Sequence, residues 1–174
     1  MEKLAIEGGN PVRNSIIRYG HQWISDEDIA AVNEVLRSDF LTTGPKVEAL
    51  QKKLCEYTGA KYAVVLSSGT AALHCACLAA GIKEGDEVIT TPMTFAASAN
   101  CALYCGAKPV FADINSETYN IDSESIRKCI TNKTKAIVAV DFTGQPVDVD
   151  KIRTICNEYH LMFIEDAAHS IGCS

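Results

Sequence analysis

The sequence has 174 residues, of which 47% are hydrophobic and 22% charged, with a formal net charge of −6. That is the size and balance of one globular domain with a core of its own. The acidic balance, uninterrupted by any basic cluster, argues against a nucleic-acid surface, and no apolar run nears the roughly 20 residues of a membrane span.

Residues 1–24 carry Gly8-Gly9-Asn10-Pro11 and no periodicity, and read as an extended arm ahead of a domain over 25–174. The start, Met1-Glu2-Lys3-Leu4-Ala5, has no secretory pattern, which points to the cytoplasm. Ser25-Asp26-Glu27-Asp28 then sets a cap and acidic first-turn residues ahead of Ile29, Val32, Val35 and Leu36, which predicts a helix. Phe40 to Pro45 breaks it, and Val47, Leu50, Leu54 and Tyr57 mark one face of a second helix over about Lys46 to Thr58.

From there strands and helices alternate. Strands are expected at Tyr62–Leu66, Glu87–Thr90, Pro109–Ala112, Ala136–Val140 and Leu161–Ile164. Helices are expected at Thr70–Ala80, from about Phe95 to Cys105, at Ser123–Ile130 and at Asp148–Tyr159. Such spacing predicts an α/β fold, a mainly parallel sheet with helices on both faces and right-handed crossovers. The eight cysteines form no C-x-x-C pair and fall mostly in apolar helical patterns, so they read as buried small hydrophobes rather than a metal site.

In such sheets ligands bind beyond the carboxyl ends of the strands. This gathers Ser67 to Ala71, Thr91 to Phe95, Asp113, Asp141 to Gly144 and Asp166 to His169 as candidates. The turn Ser67-Ser68-Gly69-Thr70-Ala71 is the focus, since a helix N-terminus presents free N–H groups and a positive dipole to an anion. The same turn also suits a plain N-cap. The dinucleotide fingerprint G-x-G-x-x-G and the P-loop are both absent. Asp113 and Asp141 read as turn or cap residues, while Phe95 fits a core position and Asp166 a cap as readily as a ligand contact.

Thr42-Thr43-Gly44-Pro45, Ser68-Gly69-Thr70-Ala71-Ala72-Leu73, Gly85-Asp86-Glu87-Val88-Ile89-Thr90, Thr94-Phe95, Gly106-Ala107-Lys108-Pro109-Val110-Phe111 and Glu165-Asp166-Ala167-Ala168-His169-Ser170 occur in that order. In this the sequence resembles the DegT-type sugar aminotransferases, which have the aspartate-aminotransferase-like fold (fold type I) and use pyridoxal 5′-phosphate (PLP). The resemblance runs from about Ile17 to Ser174. Within the family, Ala99–Gly106 and Asp141–Pro146 are most similar to the aminotransferases of pseudaminic acid biosynthesis, which act on a UDP-linked 4-keto-6-deoxy-N-acetylhexosamine.

The resemblance implies that Gly69, Thr70 and Ala71 anchor the PLP phosphate, that Phe95 stacks on its ring, that Asp166 pairs with the ring nitrogen and that His169 packs beside or hydrogen-bonds the phenolic oxygen. His169 serves equally well as an ordinary structural histidine. Partners implied are a nucleotide-linked keto sugar, an amino donor such as glutamate and a second copy in a homodimer, with neither nucleic acid nor membrane. In the family the Schiff-base lysine follows the Glu-Asp-Ala-Ala-His motif, whereas here the sequence stops at Cys173-Ser174 and its eleven lysines lie elsewhere. The expectation is therefore the N-terminal part of a large PLP-binding domain, without a catalytic residue of its own and inactive alone. A sugar dehydratase of the same family and a catalytically silent, phosphate-binding or self-associating fragment are the alternatives.

Overall fold

The computed structural model describes residues 3–18 and 20–173, so Met1, Glu2, Tyr19 and Ser174, in the expected arm and at the far end, lie outside it. The chain divides into two compact units, the first ending at Ala60 and the second starting at Lys61.

The first unit holds the arm and two helices. The arm has one 3-10 turn, Ala5–Glu7. Helix α1, Asp26–Leu36, opens on a full capping box, with the Ser25 side chain and Asp28 satisfying each other's backbone N–H groups. Helix α2, Pro45–Thr58, starts with proline at its first position and ends at Gly59 in the left-handed conformation. Neither helix contains a buried residue, and Ile29, Val32, Leu36, Leu50 and Tyr57 are exposed.

The second unit contains β1 (Glu87–Thr90), β2 (Lys108–Phe111), β3 (Thr134–Val140) and β4 (Met162–Asp166). They form one parallel sheet in the order β2-β1-β3-β4, with Val88 opposite Pro109 and Ala136, and Val138 opposite Ile164. Around it lie α3 (Gly69–Ala79), α4 (Ala97–Tyr104), α5 (Ser123–Cys129) and α6 (Val149–Tyr159). Side chains alternate across the strands, so the sheet carries two cores. Val88, Ala136 and Val138 pack with Leu73 and Cys77 of α3 and Cys101 and Ala102 of α4. Ile89, Ile137 and Ala139 pack with Ile126 of α5 and Ile152 and Ile155 of α6. Each fully buried isoleucine contributes about 1.5–3 kcal/mol.

Two expectations need correction. Tyr62–Leu66 is not a strand: no described strand takes its hydrogen bonds, and Tyr62 and Val64 are 76% and 73% exposed. A β-favouring run becomes a strand only when a neighbour completes its ladder. The thiols are also less uniformly buried than expected. Cys77, Cys101 and Cys156 are buried, whereas Cys75 and Cys173 are exposed. Burial pushes the Cys156 thiol up to about 11.

Candidate functional site

In chain order β1 is followed by β2 on one side, and the chain then returns to place β3 on the other. This reversal opens a crevice at the carboxyl ends of β1 and β3, where open parallel sheets bind ligands. A cavity of about 390 Å³ lies there, lined by Thr94, Phe95, Val140, Asp141, Phe142, Thr143, Asp166, Ala168 and His169.

The first wall follows β1. Pro92 ends the strand, the Thr91 hydroxyl accepts the Met93 N–H at 3.2 Å, and α4 begins five residues later at Ala97. Phe95, between them, is 76% exposed, which rules out the core role its apolar ring allows. An exposed phenyl face against a cavity is a surface for an aromatic ring to pack on.

The second wall follows β3. Asp141 is buried, its Oδ1 accepts the Val147 N–H at 2.9 Å, and its Oδ2 accepts the Ser170 hydroxyl. It acts as the turn residue expected of it, and also ties two loops together. Buried Asn120 does the rest: Nδ2 donates to the carbonyls of Gln145 and Pro146, both at 2.9 Å, and Oδ1 accepts the Phe142 N–H at 3.0 Å. The loop so held contains a 3-10 turn, Phe142–Gly144, in which Thr143 sits at φ 56° and Gly144 at φ 91°. A β-branched residue in the left-handed region costs about 1–3 kcal/mol and persists only where its surroundings enforce it. At Gly144 a Cβ would come 3.0 Å from the His169 carbonyl oxygen, so glycine lets the loops close.

The third wall follows β4. Asp166 is half-buried; its Oδ2 accepts the Ser98 hydroxyl at 2.8 Å and, among the described residues, its Oδ1 has only a long contact, 3.4 Å, to the Ala168 N–H. His169 is exposed at the rim. Neighbouring Glu165 has its carboxyl raised above the ordinary range, first by burial and then by the Asp141 carboxylate.

Phe95, Asp166 and His169 therefore come together in one cavity, while Gly69, Thr70 and Ala71 form the start of α3 outside its lining. There the Ser68 side chain accepts the Ala71 N–H at 3.1 Å. Among the described residues no acceptor meets the N–H groups of Gly69 and Thr70, and a Cβ on Gly69 would meet nothing within 4 Å. The helix start thus keeps two free donors and open space in front of them, the donor set an anion needs. Ala71 contributes to the cap instead. Asp113 is a turn residue, its Oδ1 accepting the Ile114 N–H at 2.8 Å. Sequence reasoning missed Asn120 and Ser98; for the second, the available signal was a serine in the first turn of an apolar helix, four residues after the Thr94 hydroxyl.

Three comparisons bear on this site. The model of the DegT/DnrJ/EryC1/StrS aminotransferase family matches residues 22–174. The spore coat polysaccharide biosynthesis protein SpsC of Bacillus subtilis is 45% identical over 159 residues, covering 91% of this chain and 41% of that protein. Helicobacter pylori PseC, an aminotransferase involved in the biosynthesis of pseudoaminic acid, superimposes with a TM-score of 0.82 at 38% identity, over 89% of this chain and 42% of its own. The PLP form of the putative sugar aminotransferase Spr1654 from Streptococcus pneumoniae does so with a TM-score of 0.86 at 32% identity, over 90% and 44%. The chain spans about two-fifths of the length of the curated relatives it matches.

Proposed function

Because the chain belongs to the DegT/DnrJ/EryC1/StrS aminotransferase family, whose cofactor is PLP, we propose that the whole protein transfers an amino group from glutamate to a UDP-linked 4-keto-6-deoxy sugar. The observation that carries this reading is one cavity in which an exposed phenyl ring, a carboxylate and an imidazole converge at the carboxyl ends of parallel strands. The likeness to PseC supports a sugar of the pseudaminic acid type, and that to SpsC supports a role in polysaccharide biosynthesis more broadly. As further parts of the proposal the enzyme is a cytoplasmic homodimer, and the exposed Leu78, Leu103 and Tyr104 on α3 and α4 are apolar surface of the kind a partner covers.

The residues present fit the cofactor. The free N–H groups of Gly69 and Thr70 bind its phosphate, with the Thr70 hydroxyl as a further donor. Phe95 packs on the ring face, and His169 at the rim meets the phenolic oxygen. Asp166 holds the proton on the ring nitrogen, because a fixed carboxylate beside a cation favours the charged form. Bound PLP supplies an electron sink for charge developing on the amino donor and the sugar. The walls built on Asp141 and Asn120 fix the shape of the cavity.

None of the nine residues lining the cavity is a lysine, although transamination needs an amine there. The 174-residue chain alone is accordingly proposed to dock PLP without turnover. Borohydride reduction after incubation with PLP, then peptide mapping, tests this beside an amino-transfer assay: a single stoichiometrically labelled lysine together with amino transfer to a keto sugar would refute it. For the whole protein, amino transfer is measured against UDP-linked 4-keto-6-deoxy-N-acetylhexosamine and a dTDP-linked 4-keto-6-deoxyhexose without the N-acetyl group. Preference for the second, or normal turnover by Asp166→Asn, would overturn the substrate or the carboxylate assignment respectively.

A further inference from the structure

The side chain of Ser98 is wholly enclosed, with 0% of the residue accessible, on the face of α4 that packs against the sheet. A buried hydroxyl must find a partner. In a helix the usual partner is the carbonyl four residues back. Ser98 instead reaches 68 residues along the chain and donates to Asp166 Oδ2 at 2.8 Å. Its oxygen lies 2.7 Å from the Thr94 hydroxyl. An ionised carboxylate only accepts and a serine hydroxyl has one proton to give, so the direction is fixed: Thr94 donates to Ser98, and Ser98 donates to Asp166.

This pair of hydroxyls leaves the two carboxylate oxygens unequal. Oδ2 is pinned from the interior, whereas among the described residues Oδ1 has only the 3.4 Å contact with Ala168 and is the oxygen left for a ligand. Chained hydroxyls polarise one another and stiffen the acceptor. The same segment carries Phe95, whose carbonyl accepts the Ser98 N–H at 3.1 Å. One turn of chain thus sets both the ring-packing residue and the orientation of the carboxylate.

We infer that Ser98, itself fixed by Thr94, is a positioning residue that aims Asp166 at the ring nitrogen of the cofactor; this rests on the Asp166 assignment proposed above. The test is equilibrium titration of the cofactor-free whole protein with PLP and with 1-deazapyridoxal phosphate, which has the same phosphate and aldehyde but carbon in place of the ring nitrogen. Ser98→Ala is expected to weaken PLP binding roughly tenfold, the scale of a lost charge-assisted hydrogen bond, and to leave the deaza analogue unchanged. Thr94→Val should act in the same direction with a smaller effect. Equal losses for both ligands, or no loss for either, would show that Ser98 is merely structural and overturn the inference. If the unsubstituted protein binds the two ligands equally well, the ring nitrogen has no partner. The Asp166 assignment then falls, and the inference with it.

Discussion

Removal of the Asn120 side chain puts the second wall of the cavity to a quantitative test. Its amide makes three hydrogen bonds to the backbone of the Phe142–Pro146 loop, at 2.9, 2.9 and 3.0 Å, and the residue is 5% exposed. A hydrogen bond contributes about 0.5–1.5 kcal/mol net, and a buried group left unpaired costs about 1–3 kcal/mol. Gln145 is exposed, so its carbonyl regains water when the amide is removed, whereas the Phe142 N–H is half-buried. Asn120→Ala should therefore cost about 2–3 kcal/mol, or roughly 5–10 °C in Tm for a protein of this size. Asn120→Asp keeps an acceptor for Phe142 but turns a carboxylate oxygen toward two carbonyls, and should be at least as damaging. Urea unfolding gives the magnitude, and amide hydrogen exchange of Phe142 and Val147 locates it. A loss below about 0.5 kcal/mol, the scale of an ordinary surface substitution, or unchanged exchange at Phe142, would refute the account of Asn120 as the tether.

Three further outcomes are expected. Thr90 is wholly buried and its hydroxyl is, among the described residues, the buried side-chain polar atom without a partner, so Thr90→Val should stabilise by about 1–2 kcal/mol in urea melts. Glu165 has a folded-state pKa above its ordinary value of 4.5, so the native state binds its proton more tightly than the unfolded chain and loses stability as pH rises through that range. Glu165→Gln should accordingly melt higher than the unsubstituted protein at pH 7, with the difference closing as pH falls below about 4.5; a constant difference across pH would count against the assignment. Thr70→Ala removes a hydroxyl beside the free donors of α3 and should weaken PLP binding to the whole protein by about 1–3 kcal/mol in equilibrium titration, and unchanged affinity would move the phosphate elsewhere.

Elements with local punctuation were legible in the sequence. β1 is bounded by Gly85-Asp86 and Thr91-Pro92, and its observed span, Glu87–Thr90, matches the expected one. The helices start where a cap announces them: Ser25, Ser68, Asp122 and Asp148 each accept an N–H of the first turn. Tyr62–Leu66 has the same strand-like composition and failed, because a strand is a property of two segments and composition reports only one. The exposure of Ile29 and Leu50 has a related cause: the periodicity of α1 and α2 shows which face is apolar, not what covers it.

The site divides along a similar line. Phe95, Asp166 and His169 lie at or just past strand ends, where the parallel-sheet rule puts the rim, and the family resemblance singled them out from the other rim residues. What the rule cannot supply is orientation. Asp166 lies at its rim position wherever β4 ends, but which of its oxygens faces the cavity depends on Ser98, 68 residues earlier on a different element. Likewise the shape of the Phe142–Gly144 turn depends on Asn120, and the left-handed Thr143 is one that its own β-branched side chain would disfavour. A hydroxyl in an apolar helix and an asparagine in a loop have no local reason to be where they are. Their reason is a buried acceptor or donor far along the chain, and an orphaned partner there costs more than the bond contributes. Residues that place chemistry at a rim can therefore be read from the order of elements, while those that aim it become visible only as hydrogen bonds in the folded chain.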